Sequence, residues 1–113
     1  MSRSSAAAVR VRDAAPLFAA LGDETRLRLI DRLSSGGPKS ITRLSAGTPV
    51  SRQAITKHLR VLSSAGLVTS SRRGRERVWD LEPARIADAH QHLERISKQW
   101  DDALGRLKSF VER

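Results

Sequence analysis

Basic side chains are concentrated in one segment of this chain, between residues 39 and 79. Nine lysines and arginines but a single acid, Glu76, give this segment a net charge of +8. The other 12 basic and 11 acidic residues nearly cancel and add only +1 to the total of +9. Guanidinium and ammonium groups clustered in this way are suited to binding polyanions, and a localised positive field is typical of nucleic-acid binders. Charge alone would also admit a membrane surface or an acidic protein as the partner.

Size and composition limit the possible architectures. A chain of 113 residues with 39% hydrophobic residues predicts one domain with a small core, and association with a second copy would enlarge that core. No apolar run approaches the roughly 20 residues of a membrane span, and the first twelve residues lack the apolar centre of a secretory signal. Without cysteine there is no disulfide and no thiolate metal site. A cytoplasmic protein is the simplest interpretation.

Two helices are predicted after an N-terminal arm of residues 1–12, which is either a frayed tail or an arm that touches DNA or a partner. The first helix runs from about residue 13 to 21, and Asp23 is a plausible N-cap for the second. Apolar residues at helical spacing are Leu17, Phe18 and Leu21 on the first helix, and Leu27, Ile30 and Leu33 on the second. The arginines of the second helix, Arg26, Arg28 and Arg32, are predicted to point mainly outward.

Two further helices follow in close succession. Ser40 is the expected cap of a short helix that ends at the breaker of residues 47–49, and Ser51 is the expected cap of a longer helix from Arg52 to about Ser64. The predicted buried residues of the longer helix are Ile55, Leu59 and Leu62. A short helix, a tight turn and a second helix with its own polar face form a helix-turn-helix arrangement.

A β-hairpin is predicted next. Residues 67–69 favour a strand, Arg73 and Gly74 make the turn, and residues 77–81 return with Trp79 and Leu81 on one face. The arginine-rich tip is too charged to pack inward. The predicted fold is therefore mainly α with a small β-hairpin, a winged helix-turn-helix of order α-α-α-α-β-β-α, in which residues 13–82 form the DNA-binding domain.

The last helix, opened by Pro83, has a heptad pattern of apolar residues. One set recurs every seven residues, and a second set follows each member by three. These positions are Ile86, Leu93, Trp100 and Leu107, then Ala89, Ile96, Ala103 and Phe110, with Leu104 and Val111 beside them. Residues 83–113 are therefore predicted to form a dimerisation helix, the alternative being a helix packed wholly on its own domain. The predicted interface residues are Leu17, Phe18, Ile86, Leu93, Ile96, Trp100, Leu104, Leu107 and Phe110.

Three segments resemble the ArsR/SmtB-type bacterial repressors. They are LGDETRLRLI at residues 21–30, SRQAITKHLRVLSSAGLV at residues 51–68, and RGRERVWDL at residues 73–81. Within this family they correspond to the second helix, the recognition helix with the first strand, and the wing. The resemblance implies a homodimer, joined through the first and last helices, that represses transcription by covering promoter DNA and releases it on sensing a metal or another signal.

The metal-sensing patterns of that family are incomplete in this chain. The helix before the turn, residues 40–46, has no cysteine. Asp88 and His90 match the first half of the family's last-helix site, but the second half falls on Asp101 and Leu104, and leucine cannot ligate a metal. Asp88 and His92 lie four residues apart and could pair with a metal or with each other. No metal and no cofactor is predicted.

The exposed face of the helix over residues 52–64 holds the main candidates for DNA contact. Gln53 and Arg52 suit the edges of adenine and guanine, Thr56 suits a thymine methyl or a phosphate, and Lys57 and Arg60 suit phosphates. Arg73 and Arg75 suit a minor groove or its phosphates, whereas Arg77 either joins them or lies along the hairpin. The complete set of candidates is Lys39, Ser51, Arg52, Gln53, Thr56, Lys57, Arg60, Arg73, Arg75 and Arg77. For Lys39, ordinary solvation is the alternative.

Two other side chains have competing interpretations. His58, beside the buried stripe, is either a hydrogen-bonded structural histidine or a phosphate contact. Trp100 fits an interface anchor better than a platform for stacking a ligand.

The pattern as a whole favours a sequence-specific, dimeric repressor of transcription that binds an inverted-repeat operator in double-stranded DNA. The alternatives are a non-specific architectural DNA-binding protein and an antitoxin-like protein-interaction module that uses its last helix. An enzyme is not expected, because the histidines and carboxylates form no nucleophile–base–orienter set. The sequence does not identify an inducer.

Overall fold

Two helices begin the part of the chain that the structure describes, residues 11–112. In this computed structural model, α1 spans Val11–Leu21 and α2 spans Glu24–Ser34. The Asp23 carboxylate accepts a 3.0 Å hydrogen bond from the backbone N–H of Arg26, which confirms the predicted N-cap of α2. α1 begins two residues earlier than predicted, so residues 11 and 12 are helical. The rest of the predicted N-terminal arm lies outside the described residues.

The helix-turn-helix consists of α3, Ile41–Ser45, and α4, Arg52–Ser64. Ser40 Oγ accepts a 3.3 Å hydrogen bond from the backbone N–H of Arg43, and Ser51 Oγ accepts one of 3.1 Å from that of Ala54. Both predicted serine caps are therefore confirmed. α4 buries Ile55, Leu59 and Leu62, as its apolar periodicity predicts.

A three-stranded antiparallel sheet in the order β1-β3-β2 contains the predicted hairpin. β1 is Lys39–Ser40, β2 is Val68–Arg73 and β3 is Glu76–Leu81. The turn lies one residue later than predicted, because Arg73 pairs with Glu76 and leaves Gly74 and Arg75 as the two turn residues. Gly74 has a φ of +62°, which glycine adopts without steric cost. The two-residue strand β1, paired with β3, is too short to show alternation in sequence.

The core joins α1, α2, α3, α4, the sheet and the first turns of α5. Its buried members are Leu17, Ala20, Leu29, Leu33, Leu44, Ile55, Leu59, Leu62, Leu67, Val68, Trp79 and Ala89. The predicted stripe of α2 is wrong at one position, since Leu27 is 50% exposed and Leu29 is buried. Leucines occur at both positions, so the α2 pattern fits two helical phases, and the packing of α2 against α4 selects the one that buries Leu29 and Leu33.

The last helix, α5, spans Pro83–Val111 and is about 43 Å long at 1.5 Å per residue. Only its first turns pack on the core, through Ile86 and Ala89. The apolar residues farther along the helix are exposed: Leu93, Ile96, Trp100, Leu104, Leu107, Phe110 and Val111. Leu17, which the sequence assigned to the dimer interface, is completely buried within its own chain and belongs to the core. No helix of residues 11–112 is long and apolar enough to cross a membrane.

Candidate nucleic-acid interface

The outer side of α4 carries polar and cationic side chains around one surface depression. The depression is lined by Ser51, Gln53, Ala54, Thr56, Lys57 and Arg60. Gln53, Lys57 and Arg60 are exposed and form no hydrogen bond or ion pair with any other residue of the described range. Their polar groups are therefore available to an external partner. The sequence periodicity placed these residues correctly on the exposed side.

Two other predicted contacts of α4 are partly engaged within the protein. Arg52 Nη2 donates a 2.9 Å hydrogen bond to Thr42 Oγ1 on α3, and Thr56 Oγ1 donates one of 2.9 Å to the carbonyl oxygen of Arg52. A guanidinium has five N–H donors, so the first bond orients the Arg52 side chain without exhausting it. The methyl group and the acceptor lone pairs of Thr56 stay available to an external partner.

The tip of the hairpin carries positive charge that its own strands do not neutralise. Residues 71–77 are all exposed, and Arg72 lies directly opposite Arg77 in the β-ladder. Like charges at opposed positions of a ladder destabilise it. Arg73 lies opposite Glu76, which is the one acid of the tip. An anionic partner would relieve the repulsion that the fold leaves in place.

Arg77 lies along the hairpin, in agreement with one of its two predicted orientations. Its Nη1 donates a 2.9 Å hydrogen bond to Ser70 Oγ on the neighbouring strand. The bond holds this guanidinium against the hairpin surface, whereas Arg73 and Arg75 form no hydrogen bond or ion pair with the residues described.

Lys39 has a structural role that neither of its predicted interpretations anticipated. Its Nζ donates to the carbonyl oxygen of Arg32 at 2.8 Å, to that of Gly37 at 3.3 Å and to that of Ser35. An ammonium has three donors, and all of them are taken up at the C-terminal end of α2. Lys39 therefore caps the C-terminal end of α2 in the free protein.

His58 is a structural histidine, as one of its two interpretations predicts. Its Nδ1 lies 3.1 Å from Arg26 Nη1 and 3.8 Å from a carboxylate oxygen of Asp23. The backbone N–H of Arg26, together with the positive charges of Arg26 and His58, holds the pKa of Asp23 below its ordinary value of 3.8. The cluster connects the start of α2 to α4.

Three arginines position these elements, a role that the sequence analysis assigned to none of them. Arg26 Nε donates to the carbonyl oxygen of Ala20 at 2.6 Å. Arg32 Nη1 donates to the carbonyl oxygens of Leu44 and Ala46 at 2.7 and 2.9 Å. The prediction that Arg26 and Arg32 point mainly outward is thus wrong. Of the three arginines of α2, Arg28 alone is exposed. Nothing in the sequence separates an arginine that binds carbonyl groups across helices from a solvated one.

The third arginine, Arg85, lies in the first turns of α5. It donates hydrogen bonds of 2.9 Å to the carbonyl oxygen of Ala65 and to that of Asp13, and it pairs with Asp88 at 3.3 Å. These contacts join α1, the end of α4 and α5 at one side chain.

The acidic residues and histidines of α5 are engaged separately from one another. Asp88 pairs with Arg85, His90 Nδ1 lies 3.1 Å from a carboxylate oxygen of Glu94, and the ring of His92 packs against Phe18 at a centroid distance of 5.5 Å. Asp88 and His92 therefore do not pair with each other. Within the described range, no group of three or more metal-ligating side chains is found.

Sequence comparisons place the helix-turn-helix in a known family. Residues 21–71 match a family profile described as a helix-turn-helix domain. The chain is 39% identical over 93 residues to the HTH-type transcriptional regulator Rv2034 of Mycobacterium tuberculosis, an alignment that covers 82% of this chain and 83% of that protein.

Solved structures share the whole architecture. An ArsR-like transcriptional regulator from Rhodococcus sp. RHA1 has a TM-score of 0.72 and 39% identity, with coverage of 88% of this chain and 92% of the other. The homodimeric winged helix-turn-helix DNA-binding domain Mb0332 of Mycobacterium bovis, solved by NMR, has a TM-score of 0.61 and 21% identity. That likeness covers 85% of each chain and concerns the fold alone.

Proposed function

The chain belongs to the ArsR family of winged helix-turn-helix proteins, which are DNA-binding regulators of transcription and not enzymes, and from this premise we propose that it is a homodimeric repressor. The observation that carries the proposal is the set of unpartnered polar and cationic groups on α4, at Gln53, Lys57 and Arg60. Such groups can bind phosphates and the edges of bases. The segment of residues 39–79 has only one acidic residue, so its positive charge is not neutralised within the segment. A regulator of chromosomal genes would act in the cytoplasm.

We propose that α4 is the recognition helix and enters the major groove. In this arrangement Gln53 and Arg52 read base edges near the start of the helix, Thr56 contacts a thymine methyl or a phosphate, and Lys57 and Arg60 bind phosphates. Ser51 caps the helix and lies at the same end. Because Lys39 is fully engaged at α2, it is left out of the proposed contacts.

The hairpin is the proposed wing. Arg73 and Arg75, at its tip, are proposed to bind in or beside a minor groove, where the negative potential is high. Arg77 is oriented along the hairpin by Ser70 and is proposed to reach phosphates from there. The repulsion between the opposed Arg72 and Arg77 supports an anionic partner for this surface.

The proposed dimer interface is the apolar stripe of α5. From Leu93 to Val111 every large apolar side chain is more than a third exposed, Trp100 at 64% and Phe110 at 70%, which leaves a long apolar face that a second copy would cover. The heptad spacing suits a helix packed on a helix. The M. bovis neighbour of the same fold is itself a homodimer. In this proposal residues 13–82 bind DNA and residues 83–113 join the subunits.

A dimer of this kind presents two recognition helices related by a two-fold axis. Their separation is then expected to be near one helical turn of DNA, roughly 34 Å, which favours an inverted-repeat operator. A protein of that size seated on a promoter would exclude the transcription machinery, hence the proposed repression.

The test is to select the target from the genome and measure the assembly in the same preparation. Genomic fragments retained by the purified protein are sequenced, and the enriched site is compared with a scrambled duplex in a salt series. Light scattering gives the mass of the free protein. We expect the enriched site to be an inverted repeat and to bind at least about a thousandfold more tightly than the scrambled duplex. We expect the mass of the free protein to be that of a dimer.

Each alternative function has its own outcome in this test. A ratio near one between the affinities for the enriched site and for the scrambled duplex would support a non-specific architectural protein. Absence of DNA affinity at low salt would support an antitoxin-like interaction module. A monomer that binds its site would overturn the dimer alone.

A further inference from the structure

A cavity of about 240 Å³ lies between α2 and the connection from α3 to α4. Its walls come from α2 on one side and from the end of α3, the turn and α4 on the other. The lining residues are Glu24, Thr25, Arg28, Leu29, Arg32, Leu44, Gly47, Thr48, Pro49, Val50 and Ile55. The cavity therefore lies between α2 and the helix-turn-helix, apart from the outer face of α4.

The cavity is apolar at its base and cationic at its rim. Leu29, Leu44 and Ile55 are each at most 2% exposed and form the base. At the rim, Arg28 pairs with Glu24, and Arg32 uses only Nη1 in its bonds to two backbone carbonyls. Arg32 Nε and Nη2 have no partner in the described part of the chain. With one carboxylate against two guanidinium groups, the rim keeps a net charge of +1.

We propose that this cavity is a binding site for a small monocarboxylate with an aromatic or branched apolar body. A cavity of about 150 Å³ lined by apolar side chains holds a benzene molecule, so 240 Å³ has room for a ring and a short acid group. The apolar body would lie on Leu29, Leu44 and Ile55, and the carboxylate would accept hydrogen bonds from Arg28 and Arg32. The single net charge of the rim matches a monoanion.

Occupation of the cavity would affect α4, a consequence that rests on the function proposed above. Arg32 holds the carbonyl oxygens of Leu44 and Ala46 and thereby fixes the end of α3 against α2. A carboxylate bound at Arg28 and Arg32 adds a negative charge beside the turn that leads to Ser51 and α4, where phosphates are proposed to bind, and it repels them. The bound ligand is therefore expected to lower the affinity of the protein for DNA.

The binding site is tested by NMR on the ¹⁵N-labelled full chain titrated with phenylacetate, a monocarboxylate of about ten non-hydrogen atoms. We expect saturable shifts concentrated at the amides of Gly47, Thr48 and Val50, with millimolar or tighter affinity. Phenylacetamide, the neutral analogue of equal size, is expected to bind at least about tenfold more weakly, and acetate, which lacks the apolar body, not to saturate. Absence of saturable shifts at the turn, or equal affinity for the acid and the amide, would overturn the assignment.

Two variants test whether the arginines of the rim, rather than the overall positive charge of the protein, hold the carboxylate of the ligand. Arg28→Gln removes one exposed guanidinium and is expected to weaken phenylacetate about tenfold while leaving phenylacetamide unchanged. Lys98→Gln removes one positive charge on α5 and is the matched control, expected to bind phenylacetate as the parent does. Equal affinities in the two variants would mean that Arg28 does not hold the carboxylate.

The effect on DNA is measured separately, as the affinity for the selected duplex with and without saturating phenylacetate. We expect a fall of at least about tenfold, absent with phenylacetamide at equal concentration. If phenylacetate binds but DNA affinity is unchanged, the regulatory effect is wrong and the site stands. If the protein never binds DNA, the proposed function fails, and the NMR titration still decides the cavity.

Discussion

Arg85 Nε lies 2.9 Å from the carbonyl oxygen of Ala65, so the start of α5 is hydrogen-bonded to the C-cap residue of α4. The same guanidinium donates to the carbonyl oxygen of Asp13 in α1 at 2.9 Å. The helix proposed to hold the dimer together, α5, is thereby fixed to α1 and to the helix proposed to read DNA.

Replacement of Arg85 by glutamine is expected to lower the free energy of unfolding by about 1–3 kcal/mol, because the carbonyls of Ala65 and Asp13 lose a charged donor. Urea denaturation at one fixed protein concentration measures the change, since association contributes to the stability of a dimer. Lys98→Gln, an exposed charge removal on α5, is the control and is expected to change stability by less than about 0.5 kcal/mol. Equal midpoints for both variants would contradict the structural role of Arg85.

Gln53 and Lys57 are expected to contribute to DNA binding in different ways. Gln53→Ala should weaken the selected operator by about 1–3 kcal/mol and leave a scrambled duplex almost unaffected, because it removes a contact to a base edge. Lys57→Ala should weaken both duplexes alike and reduce the salt dependence by about one unit of slope, because it removes a phosphate contact. Titrations of both duplexes over a salt series give these values. The same loss on both duplexes for both variants would refute the division of roles.

Ser51 caps α4 and lies at the end of the helix that is proposed to face DNA, and two substitutions separate these properties. Ser51→Ala removes the acceptor of the Ala54 N–H and is expected to cost about 1 kcal/mol of stability. Ser51→Asp keeps an acceptor at the cap but adds a negative charge, so stability should be retained while DNA affinity falls at least about tenfold at low salt. Thermal unfolding and DNA titration measure the two effects. A Ser51→Asp variant that binds DNA normally would place this end of α4 away from phosphate.

Trp100, which is 64% exposed in the single chain, is the proposed anchor of the subunit interface. Trp100→Glu should weaken dimerisation by at least about 2 kcal/mol, roughly thirtyfold, since a carboxylate would be buried in an apolar contact. Gln91→Glu introduces the same charge on the other side of the helix and should leave the dimer intact. Sedimentation equilibrium gives both dissociation constants. Parallel behaviour of the two variants would exclude the heptad face as the interface.

Asp23 gives the protein a pH-dependent contribution to stability. Its pKa is lower in the folded chain than its ordinary value of 3.8, chiefly because of the hydrogen bond from the Arg26 N–H. The contribution is therefore present above about pH 4 and is lost as the pH falls through the lower, folded value. Asp23→Asn keeps a good cap without the charge. Urea midpoints of the parent and the variant should differ at pH 7 and converge towards pH 3, and a constant difference over this range would contradict the assignment.

Apolar periodicity and capping residues were sufficient to predict most of the fold. The serine caps, the α4 stripe, the hairpin and the extent of α5 follow from local sequence. The strand β1 does not, because two residues carry no period and its existence depends on pairing with β3. The orientation of α2 does not either, because Leu27 and Leu29 are equally apolar.

The candidate site could be predicted from sequence only where a side chain has no partner in the fold. Gln53, Lys57 and Arg60 are exposed as the helical period of α4 requires. Lys39 and Arg32 are exceptions, since both bind backbone carbonyls brought near by tertiary packing. A lysine that caps a helix end and a lysine that binds phosphate carry the same charge, so the sequence alone does not distinguish the two roles.

The pairing of Lys39 with Trp79 has a mechanical consequence. It joins β1, which leads into α3, to β3, the central strand of the sheet and one strand of the hairpin, so the helix-turn-helix and the proposed wing are connected by strand pairing within one chain. We expect the two parts to keep their relative position when the protein docks on DNA, so that little ordering entropy is lost. Variation in groove spacing would then have to be absorbed by bending of the duplex.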